Sequence, residues 1–449
     1  MPTPTPTNLA TLRPADPAFG KSLAGATWNA RLAGARAPAG IVAVRTATDA
    51  AAAIRKAASE DLKISPRGSG HHYEAAALRD GGLMLDLGGL DFIEVNAKAQ
   101  TARVGAGVKG GHLAKCLAAR GLAFPVGHCA DVALSGYILA GGFGWNAGEW
   151  GPACANVRAI EMVTAAGDIV VASESEHADL FWAARGGGPG FFAAITAYHL
   201  TLHPLPGAAF ALSHTFTAAS APALANWLTA ATATAHPSAE IVCLVGIDPE
   251  SRQPTVTVRA IAVGADEAGA RSRVASFLSP PAEAEPLGEP QEESLDFTEL
   301  GKFSAMPSGK RVAADHVWSD APLGDLLLAV YTLAEAPSPL STINLVSLGG
   351  DGAVPSRPHG VHGALSVGGG AGAGIYAMWD DAADDAANCA WVRQVDAALA
   401  PLRSGRYVGE ADLTAGPERL GECFTPEALG RLGALRQQYD PHGRFFTWP

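Results

Sequence analysis

The chain has 449 residues, of which 48% are hydrophobic and 17% are charged, and its formal net charge is −12. This length exceeds what one compact core usually accommodates, so two domains are expected, and the composition excludes a disordered protein. The negative charge argues against nucleic acid or an anionic membrane as the main partner.

The N-terminal residues and the cysteines predict the compartment. Residues 1–14 are polar and rich in Pro and Thr, without the basic and apolar segments of a signal peptide. No apolar run approaches the roughly 18 residues of a membrane-spanning helix. The cysteines are not spaced for zinc or for a disulfide scaffold; they are Cys116, Cys129, Cys154, Cys243, Cys389 and Cys423. We therefore expect a cytoplasmic protein without a metal site or a membrane partner.

As far as about residue 205, short apolar runs alternate with Ala-rich or Gly-rich stretches. The first run predicts a strand from Ile41. Thr48 is the predicted cap of the following helix, because a hydroxyl before an Ala-rich run accepts the first helical amides. A further strand leads into a glycine-rich turn at 66–74, and a second glycine-rich block covers 125–157. These patterns predict a domain that mixes strands and helices.

From about residue 206 the pattern changes to longer strands, Ala-rich helices and loops rich in Pro and Glu. Strands are predicted at 241–247, 255–265, 341–350 and 374–381, and helices at 223–235 and 266–278. Such a series predicts an antiparallel sheet backed by helices, which we assign to a substrate domain. The last stretch, 405–449, is predicted to be one helix flanked by turns.

Glycines stand on both sides of Ser69, directly after a predicted strand. Gly68 and Gly70 would let backbone amides approach an anion closely, as a phosphate site requires. The spacing fits neither the GxGxxG fingerprint nor a Walker loop, and an ordinary tight turn is the alternative. This motif alone is therefore a weak signal.

The order of five such blocks is more specific. They are RGSGHHYE at 67–74, the Gly-rich segment 126–145, CANVRAIEMVTAAGD at 154–168, the segment 179–202, and YDPHGRF at 439–445. In this order they resemble the vanillyl-alcohol-oxidase superfamily, and most closely the bacterial branch of its berberine-bridge-enzyme-like FAD-linked oxidases. The resemblance spans 38–205 and 375–449, with the middle only loosely similar.

The resemblance implies an α+β fold with a two-subdomain FAD-binding domain of the vanillyl-alcohol-oxidase type. A substrate domain, with an antiparallel sheet covered by helices, would accompany it. On this basis we assign 1–205 to the N-terminal part of the FAD-binding domain and 206–403 to the substrate domain. The C-terminal segment, 404–449, would return to the FAD-binding domain.

The resemblance also implies which residues hold the cofactor. FAD would be covalently attached through His71 and Cys129, because an electron-poor flavin ring accepts a neutral imidazole or a thiolate; a structural histidine and a buried cysteine are the alternatives. The pyrophosphate would lie in a cradle of Arg67, Gly68, Ser69 and Gly70. The further cofactor-binding residues are His72, Val132, Ser135, Gly136, Gly141, Gly142, Phe143, Asn156 and Ile195. Val132 occupies a position where oxygen-using members carry Val.

The candidate catalytic base departs from the family pattern. Where many members have Tyr-x-Asn-Tyr-x-Asp-Leu with the second Tyr as base, this chain has Glu410, while Tyr407 matches the first Tyr. In an apolar site the pKa of a carboxyl rises, and Glu410 could then take a proton from a substrate hydroxyl. If the alignment is displaced by one residue, the base is Tyr407, His359 or His362, or is absent.

The resemblance implies an oxidase that passes hydride from an alcohol, lactol or similar C–H to FAD, with reoxidation by oxygen to hydrogen peroxide. Its partners would be a small-molecule substrate and molecular oxygen, and the protein would be a monomer or homodimer. A flavin dehydrogenase or an oxidative cyclase of a secondary metabolite is one alternative. A flavin-binding protein without turnover is another, favoured if Glu410 means that the base is lost.

Overall fold

The computed structural model of the chain describes residues 9–248, 250–304, 306–348 and 361–449. Its strands, in chain order, are β1 Thr11–Leu12, β2 Gly40–Ala43, β3 Ile64–Arg67, β4 Leu83–Asp86, β5 Ile93–Asn96, β6 Thr101–Gly105, β7 Leu122–Ala123, β8 Val157–Thr164, β9 Ile169–Ser173, β10 Ala193–Thr201, β11 His203–Pro204, β12 Ala208–Thr217, β13 Ala239–Ile247, β14 Pro254–Gly264, β15 Gln291–Leu295, β16 Arg311–Ser319, β17 Thr342–Ser347 and β18 Ala371–Trp379.

Its α-helices are α1 Phe19–Ala24, α2 Ala47–Ser59, α3 Gly110–Ala118, α4 Leu134–Leu139, α5 Ala147–Trp150, α6 Ala178–Ala184, α7 Ala221–Ala233, α8 Glu267–Ser272, α9 Leu323–Val330, α10 Asp385–Leu399, α11 Arg419–Cys423 and α12 Pro426–Tyr439. Across the described ranges, no helix is both long and apolar enough to cross a bilayer.

Two sheets build the N-terminal part of the fold. The first has the order β1-β2-β4-β3, in which β2, β4 and β3 run parallel and β1 is an antiparallel edge strand. The second is antiparallel, with the order β5-β6-β10-β8-β9. Buried side chains of both sheets pack into one hydrophobic core. With the third sheet described below, this confirms the predicted α+β fold.

The third sheet has seven antiparallel strands in the order β15-β12-β14-β13-β17-β18-β16. Successive side chains of a strand point to opposite faces, so each strand contributes to two environments. On one face, residues such as Ile241 and Leu345 pack against α7, α9 and α10 in a separate core. On the other face, residues such as Val242 and Asn344 line a cavity. The helices α7, α9 and α10 therefore cover one face of this sheet, and the cavity lies against part of the other.

The C-terminal segment packs against the N-terminal sheets. Ile64, at the start of β3, forms a bridge with Phe445, and its amide donates a hydrogen bond to the Arg444 carbonyl at 2.6 Å. Buried residues of the segment, including Tyr407 and Leu432, belong to the core of the two N-terminal sheets. The segment holds α11 and α12, so the prediction of one helix there was incomplete.

The predicted cap of α2 was wrong. The helix begins at Ala47, and its N-cap is Thr46, whose hydroxyl accepts a hydrogen bond from the Asp49 amide at 3.1 Å. The Asp49 carboxylate in turn accepts from the Thr46 amide at 3.0 Å, which completes a capping box. Thr48 lies inside the first turn. The reciprocal pair decides the boundary because it satisfies two helix-terminal amides at once.

Candidate active site

A cavity of about 650 Å³ lies between the N-terminal sheets and the open face of the seven-stranded sheet. Its walls come from the turn after β3, from segments within 127–143, and from alternate residues of β13, β16, β17 and β18. This volume is in the usual range of small-molecule and cofactor sites. The cavity therefore brings together the regions that the sequence analysis assigned to cofactor and substrate.

The glycine-rich turn after β3 forms one wall of the cavity. The Ser69 hydroxyl fixes this turn, because it accepts a hydrogen bond from the Ala133 amide at 2.8 Å. A Cβ on Gly68 would lie 2.1 Å from Ser135 Oγ. Gly70 has φ of +76°, which is unfavourable for other residues, and a Cβ there would meet a neighbouring carbonyl. The close approach of these two segments therefore requires glycine.

Most residues predicted to bind the cofactor line this one cavity. They are Gly68, Ser69, Gly70, His71, His72, Cys129, Val132, Ser135, Gly136, Phe143 and Ile195. The Ser135 hydroxyl is buried and has no hydrogen-bond partner among the described residues, so it can donate to a ligand in the cavity. A glycine-lined wall with such a hydroxyl fits the phosphates of a dinucleotide. The separate roles of these residues stay predictions.

Four predicted cofactor residues lie outside the cavity lining, namely Arg67, Gly141, Gly142 and Asn156. The Arg67 guanidinium donates to the Gly25 carbonyl at 2.6 Å and to the Asp86 carboxylate at 3.0 Å. It also donates to the Ala26 carbonyl at 3.2 Å, directly beneath Gly70. Arg67 therefore orders the loop that supports the glycine turn, and the predicted direct contact with a pyrophosphate is not what this geometry offers.

The other three support the cavity from behind. Gly141 and Gly142 have φ of +114° and +80°, and the Gly142 amide donates to the Tyr407 hydroxyl at 3.2 Å. The Asn156 side-chain amide donates to the Trp150 carbonyl at 3.0 Å. These residues hold the second glycine-rich block in place as far as the start of β8. Gly142 also positions Tyr407, and none of the three reaches the cavity.

His71 and Cys129 face the cavity from two different segments. His71 stacks on Trp28, with ring centroids 5.7 Å apart. Burial lowers the pKa of His71, so its imidazole is neutral near neutral pH and has a free lone pair. Burial also raises the pKa of the Cys129 thiol, which therefore stays protonated there. At neutral pH His71 therefore has its lone pair available, whereas Cys129 must lose a proton before it can react.

Glu410 lines the cavity in a tight turn that begins at Tyr407. Tyr376, on β18, donates a hydrogen bond to Glu410 Oε2 at 2.7 Å. Burial raises the pKa of Glu410, while the Tyr376 hydrogen bond and the charge of His128 act in the opposite direction. The carboxyl is enclosed by protein but keeps accessible surface, as a group facing a cavity does. A carboxyl in this setting is suited to accept a proton from a bound molecule.

The alternative bases are placed less favourably. Tyr407 lines the cavity, but burial, with the Glu410 charge, raises its pKa well above the usual value. Its phenol therefore remains protonated at neutral pH. His362 lies outside the cavity lining, and its carbonyl oxygen binds Arg185. His359 lies outside the described residues. Of the candidate bases that the structure describes, Glu410 is the best placed.

An acid–base pair that the sequence analysis missed also faces the cavity. His128 Nε2 lies 2.8 Å from Glu240 Oε1, and the His128 ring packs edge-on against Trp145 at 4.4 Å between ring centroids. Burial alone would lower the pKa of His128, but the Glu240 carboxylate and Glu410 raise it above its ordinary value. Glu240 is the second residue of β13, in which alternate residues face the helices. That alternation could have predicted from the sequence that Glu240 faces away from the helices.

The cavity wall carries two carboxyl groups, one of which is paired with His128. Glu240 and Glu410 line it, and none of the lining residues in the described ranges is Lys or Arg. The described residues also hold no group of His, Cys, Asp and Glu side chains arranged to bind a metal ion. Aromatic side chains, including Tyr73, Tyr376 and Trp318, cover much of the remaining wall. Such a surface favours neutral or cationic molecules over anionic ones.

A family model described as an FAD binding domain matches residues 38–173. The chain is 30% identical over 433 residues to (R)-6-hydroxynicotine oxidase of Paenarthrobacter nicotinovorans, covering 91% of this chain and 90% of that protein. It resembles the solved structure of 6-hydroxy-D-nicotine oxidase from Arthrobacter nicotinovorans with a TM-score of 0.81 at 26% identity, covering 99% and 98% of the two chains. For BBE-like 1 of Physcomitrella patens the TM-score is 0.84 at 20% identity, covering 98% and 96%.

Proposed function

Since the chain belongs to the berberine-bridge-enzyme-like FAD-linked oxidoreductases of the vanillyl-alcohol-oxidase superfamily, we propose that it oxidises an alcohol, lactol or similar C–H of a small molecule and uses molecular oxygen as the final acceptor. Hydrogen peroxide is the second product. FAD, when bound, supplies the acceptor for the hydride and passes the electrons to oxygen. The observation that carries the proposal is Glu410, a carboxyl with a raised pKa, in the same cavity as His71 and Cys129.

In the proposed reaction Glu410 removes the proton from the substrate hydroxyl as the C–H bond breaks. Tyr376 engages Glu410 Oε2, so Oε1 is the oxygen left to accept that proton. The phenol also fixes the carboxyl in one rotamer, which reduces the entropic cost of reaching the reactive geometry. Apolar residues of the seven-stranded sheet, including Val242, Leu244 and Val346, line the same cavity as the pair. Proton acceptance by a positioned carboxyl is the chemistry that this chain contributes itself.

We further propose that the cofactor is attached at both His71 and Cys129. The two side chains reach one cavity from segments 58 residues apart in sequence (129 − 71). His71 is neutral and would form its bond without prior deprotonation, whereas Cys129 must first lose its proton. Each bond would replace a hydrogen of the side chain and a hydrogen of the flavin carbon, would leave the flavin reduced by two electrons, and would require reoxidation by oxygen. Val132, three positions after Cys129, also lines the cavity. The resemblance associates Val at this position with oxygen-using members, which favours oxidase over dehydrogenase activity.

A second candidate substrate class is an amine. Two observations favour it: the cavity is lined by Glu240 and Glu410 without Lys or Arg, and a relative that is 30% identical over 91% of this chain is named as an oxidase of a hydroxynicotine. A carboxylate and aromatic faces attract an ammonium group during binding. Glu410 would then accept the proton of the ammonium before hydride leaves the adjacent carbon.

Matched substrates separate these possibilities. An aryl alcohol, the amine with the same carbon skeleton, and the corresponding hydroxy acid are each mixed with the yellow protein without air, and then air is admitted. We expect bleaching by the alcohol or the amine, return of the colour with peroxide in air, and no reaction of the anionic hydroxy acid. Bleaching without return would indicate a dehydrogenase. No bleaching by any compound would indicate a binding protein.

The Ser135 hydroxyl provides a test of the cofactor wall. In the His71→Ala/Cys129→Ala background, where FAD is expected to bind reversibly, Ser135→Ala should lower FAD affinity roughly 10- to 100-fold, because a hydrogen bond to a charged group contributes about 1.5–3 kcal/mol. The apo protein should be no less stable, since the hydroxyl has no partner among the described residues. Reconstitution of apo protein, followed by FAD fluorescence, measures this. Thr196→Val is the matched control, because Thr196 Oγ1 is also buried without a described partner but lies outside the cavity lining.

A further inference from the structure

Asp315 is a completely buried carboxylate on β16, directly behind the cavity wall. Its neighbour His316 lines the cavity, whereas Asp315 points to the opposite face of the sheet, towards α10 and the C-terminal segment. Three guanidinium groups bind its two oxygens, from Arg393, Arg406 and Arg419. None of the reaction steps proposed above uses this carboxylate, and its burial among three cations calls for an explanation.

The same carboxylate holds both ends of the turn that carries the candidate base. Arg406, directly before the turn, donates to Asp315 Oδ1 at 3.1 Å. The amide of Asp412, directly after the turn, donates to the same oxygen at 3.2 Å. Between these points the amides of Glu410 and its neighbour both bond to the Tyr407 carbonyl, at 3.0 and 2.9 Å. Asp315 therefore closes a clamp around residues 407–411.

The clamp also connects this turn to the strand pair that carries Tyr376, the hydrogen-bond partner of Glu410. Asp315 on β16 pairs with Ile375 on β18, and the next residue of β18 is Tyr376. Tyr376 is the residue that donates the 2.7 Å hydrogen bond to Glu410. The paired strands β16 and β18 thus position both partners of this hydrogen bond. The backbone of β18 positions the donor, Tyr376, and the Asp315 carboxylate on β16 positions the turn that carries the acceptor, Glu410.

We propose that Asp315 is a positioning residue that sets Glu410 against Tyr376 and the bound substrate, by clamping the turn 407–411 from behind the sheet. The inference rests on the proposed function, because it assumes that Glu410 is the base. Arg393 strengthens the clamp: it bonds to Asp315 Oδ2 at 2.6 Å and to Asp412 Oδ2 at 2.6 Å, so it joins the two carboxylates across the end of the turn.

Asp396 provides a matched control. It is also buried, and it binds Arg406 at 2.8 Å and Arg419 at 2.7 Å in the same charge cluster. It makes no contact with the backbone of the turn 407–412 among the described hydrogen bonds. If the cluster only stabilises the fold, Asp315→Asn and Asp396→Asn should therefore have the same consequences. If Asp315 positions the turn, only its substitution should affect the base.

The kinetic test compares holoenzymes of the parent and both variants. For Asp315→Asn we expect kcat to fall about 100-fold, the effect of a misplacement near 1 Å, with little change in KM. The acid limb of the kcat profile should move to higher pH, because the Tyr376 hydrogen bond that lowers the pKa of Glu410 weakens. Asp396→Asn should keep kcat and the limb near the parent's. Equal losses of kcat in both variants, with an unmoved limb, would overturn the proposal.

Hydrogen exchange tests the clamp without turnover. The amides of Glu410, Ala411 and Asp412 should exchange faster in Asp315→Asn and at the parent rate in Asp396→Asn; unchanged exchange in both would also overturn the proposal. If Asp315→Asn does not fold, Arg393→Gln decides the question, because Arg393 is 34% exposed and bonds to both Asp315 and Asp412. A parent that oxidises no substrate would refute the proposed function, and exchange would still show whether Asp315 holds the turn.

Discussion

Replacing Glu410 by Gln is expected to lower the rate of flavin reduction by a factor on the order of 10³, with cofactor content unchanged. The amide has the shape of the carboxyl and can still accept the hydrogen bond from Tyr376, but it cannot accept a proton. The His71 and Cys129 segments are not altered by this change. Stopped-flow absorbance of the yellow band, under anaerobic conditions and at saturating substrate, measures the rate constant directly.

The role of Glu410 also predicts how the rate of flavin reduction changes with pH. A general base acts in its ionised form, and burial raises the pKa of Glu410 above the ordinary value of 4.5. The parent rate is therefore full above that raised pKa and falls as the pH decreases through it. Glu410→Gln should lose this acid limb. Tyr376→Phe removes a hydrogen bond that lowers the pKa, so the limb should move to higher pH while most of the rate at alkaline pH remains.

Tyr407→Phe is the control for the competing assignment. Its phenol accepts the Gly142 amide at 3.2 Å and has a raised pKa, so we expect only a modest loss of rate. The assignment of Glu410 fails if Tyr407→Phe abolishes reduction while Glu410→Gln retains it. In that case the rate would also rise only at alkaline pH, where a phenol ionises.

Local patterns predicted the elements that local chemistry determines. The strands after residue 240 and helix α7 follow from apolar runs and Ala-rich stretches, and the structure confirms the antiparallel sheet backed by helices. The helix cap was misplaced by two residues although the sequence contained the answer. Thr46 and Asp49 form the three-residue spacing of a capping box, and Thr48 has no such partner.

Long-range charge pairing could not be predicted from any local window. Strand β16 was missed because its sequence, RVAADHVWS, places Asp315 at the centre of an otherwise apolar run. The carboxylate is tolerated there only because arginines 78, 91 and 104 residues away reach it. Arg67 shows the converse. The resemblance implied that it contacts a pyrophosphate, but the loop carbonyls and Asp86 that bind it are set by tertiary structure.

The largest change in cofactor retention is expected on removing both proposed tethers. In the parent, and in His71→Ala or Cys129→Ala alone, the flavin should remain with the protein after acid precipitation, since one covalent bond suffices. In the double variant all of it should be released. Intact-mass measurement counts the attached cofactor, and peptide mapping of each single variant locates the remaining bond.

Matched controls exist for each tether. His72→Ala removes the adjacent cavity-facing imidazole, and Cys154→Ser alters a cysteine that is buried in the core, outside the cavity lining. Both controls should retain the flavin after precipitation. The folded double variant should still bind FAD reversibly, because the glycine turn and Ser135 remain. Flavin held through acid precipitation in the double variant would contradict the assignment of both residues.

The two tethers should also differ in how their formation depends on pH. Burial lowers the pKa of His71, so its imidazole is neutral from neutral to mildly alkaline pH, and the rate of attachment should change little over that range. Burial raises the pKa of Cys129, so the reactive thiolate becomes more abundant as the pH rises. Each single variant, prepared without cofactor and mixed with FAD, reports on the tether that it keeps. Attachment to Cys129 in His71→Ala should therefore accelerate with pH, whereas attachment to His71 in Cys129→Ala should have a nearly constant rate. Equal pH dependence would mean that the two side chains do not react as separate nucleophiles.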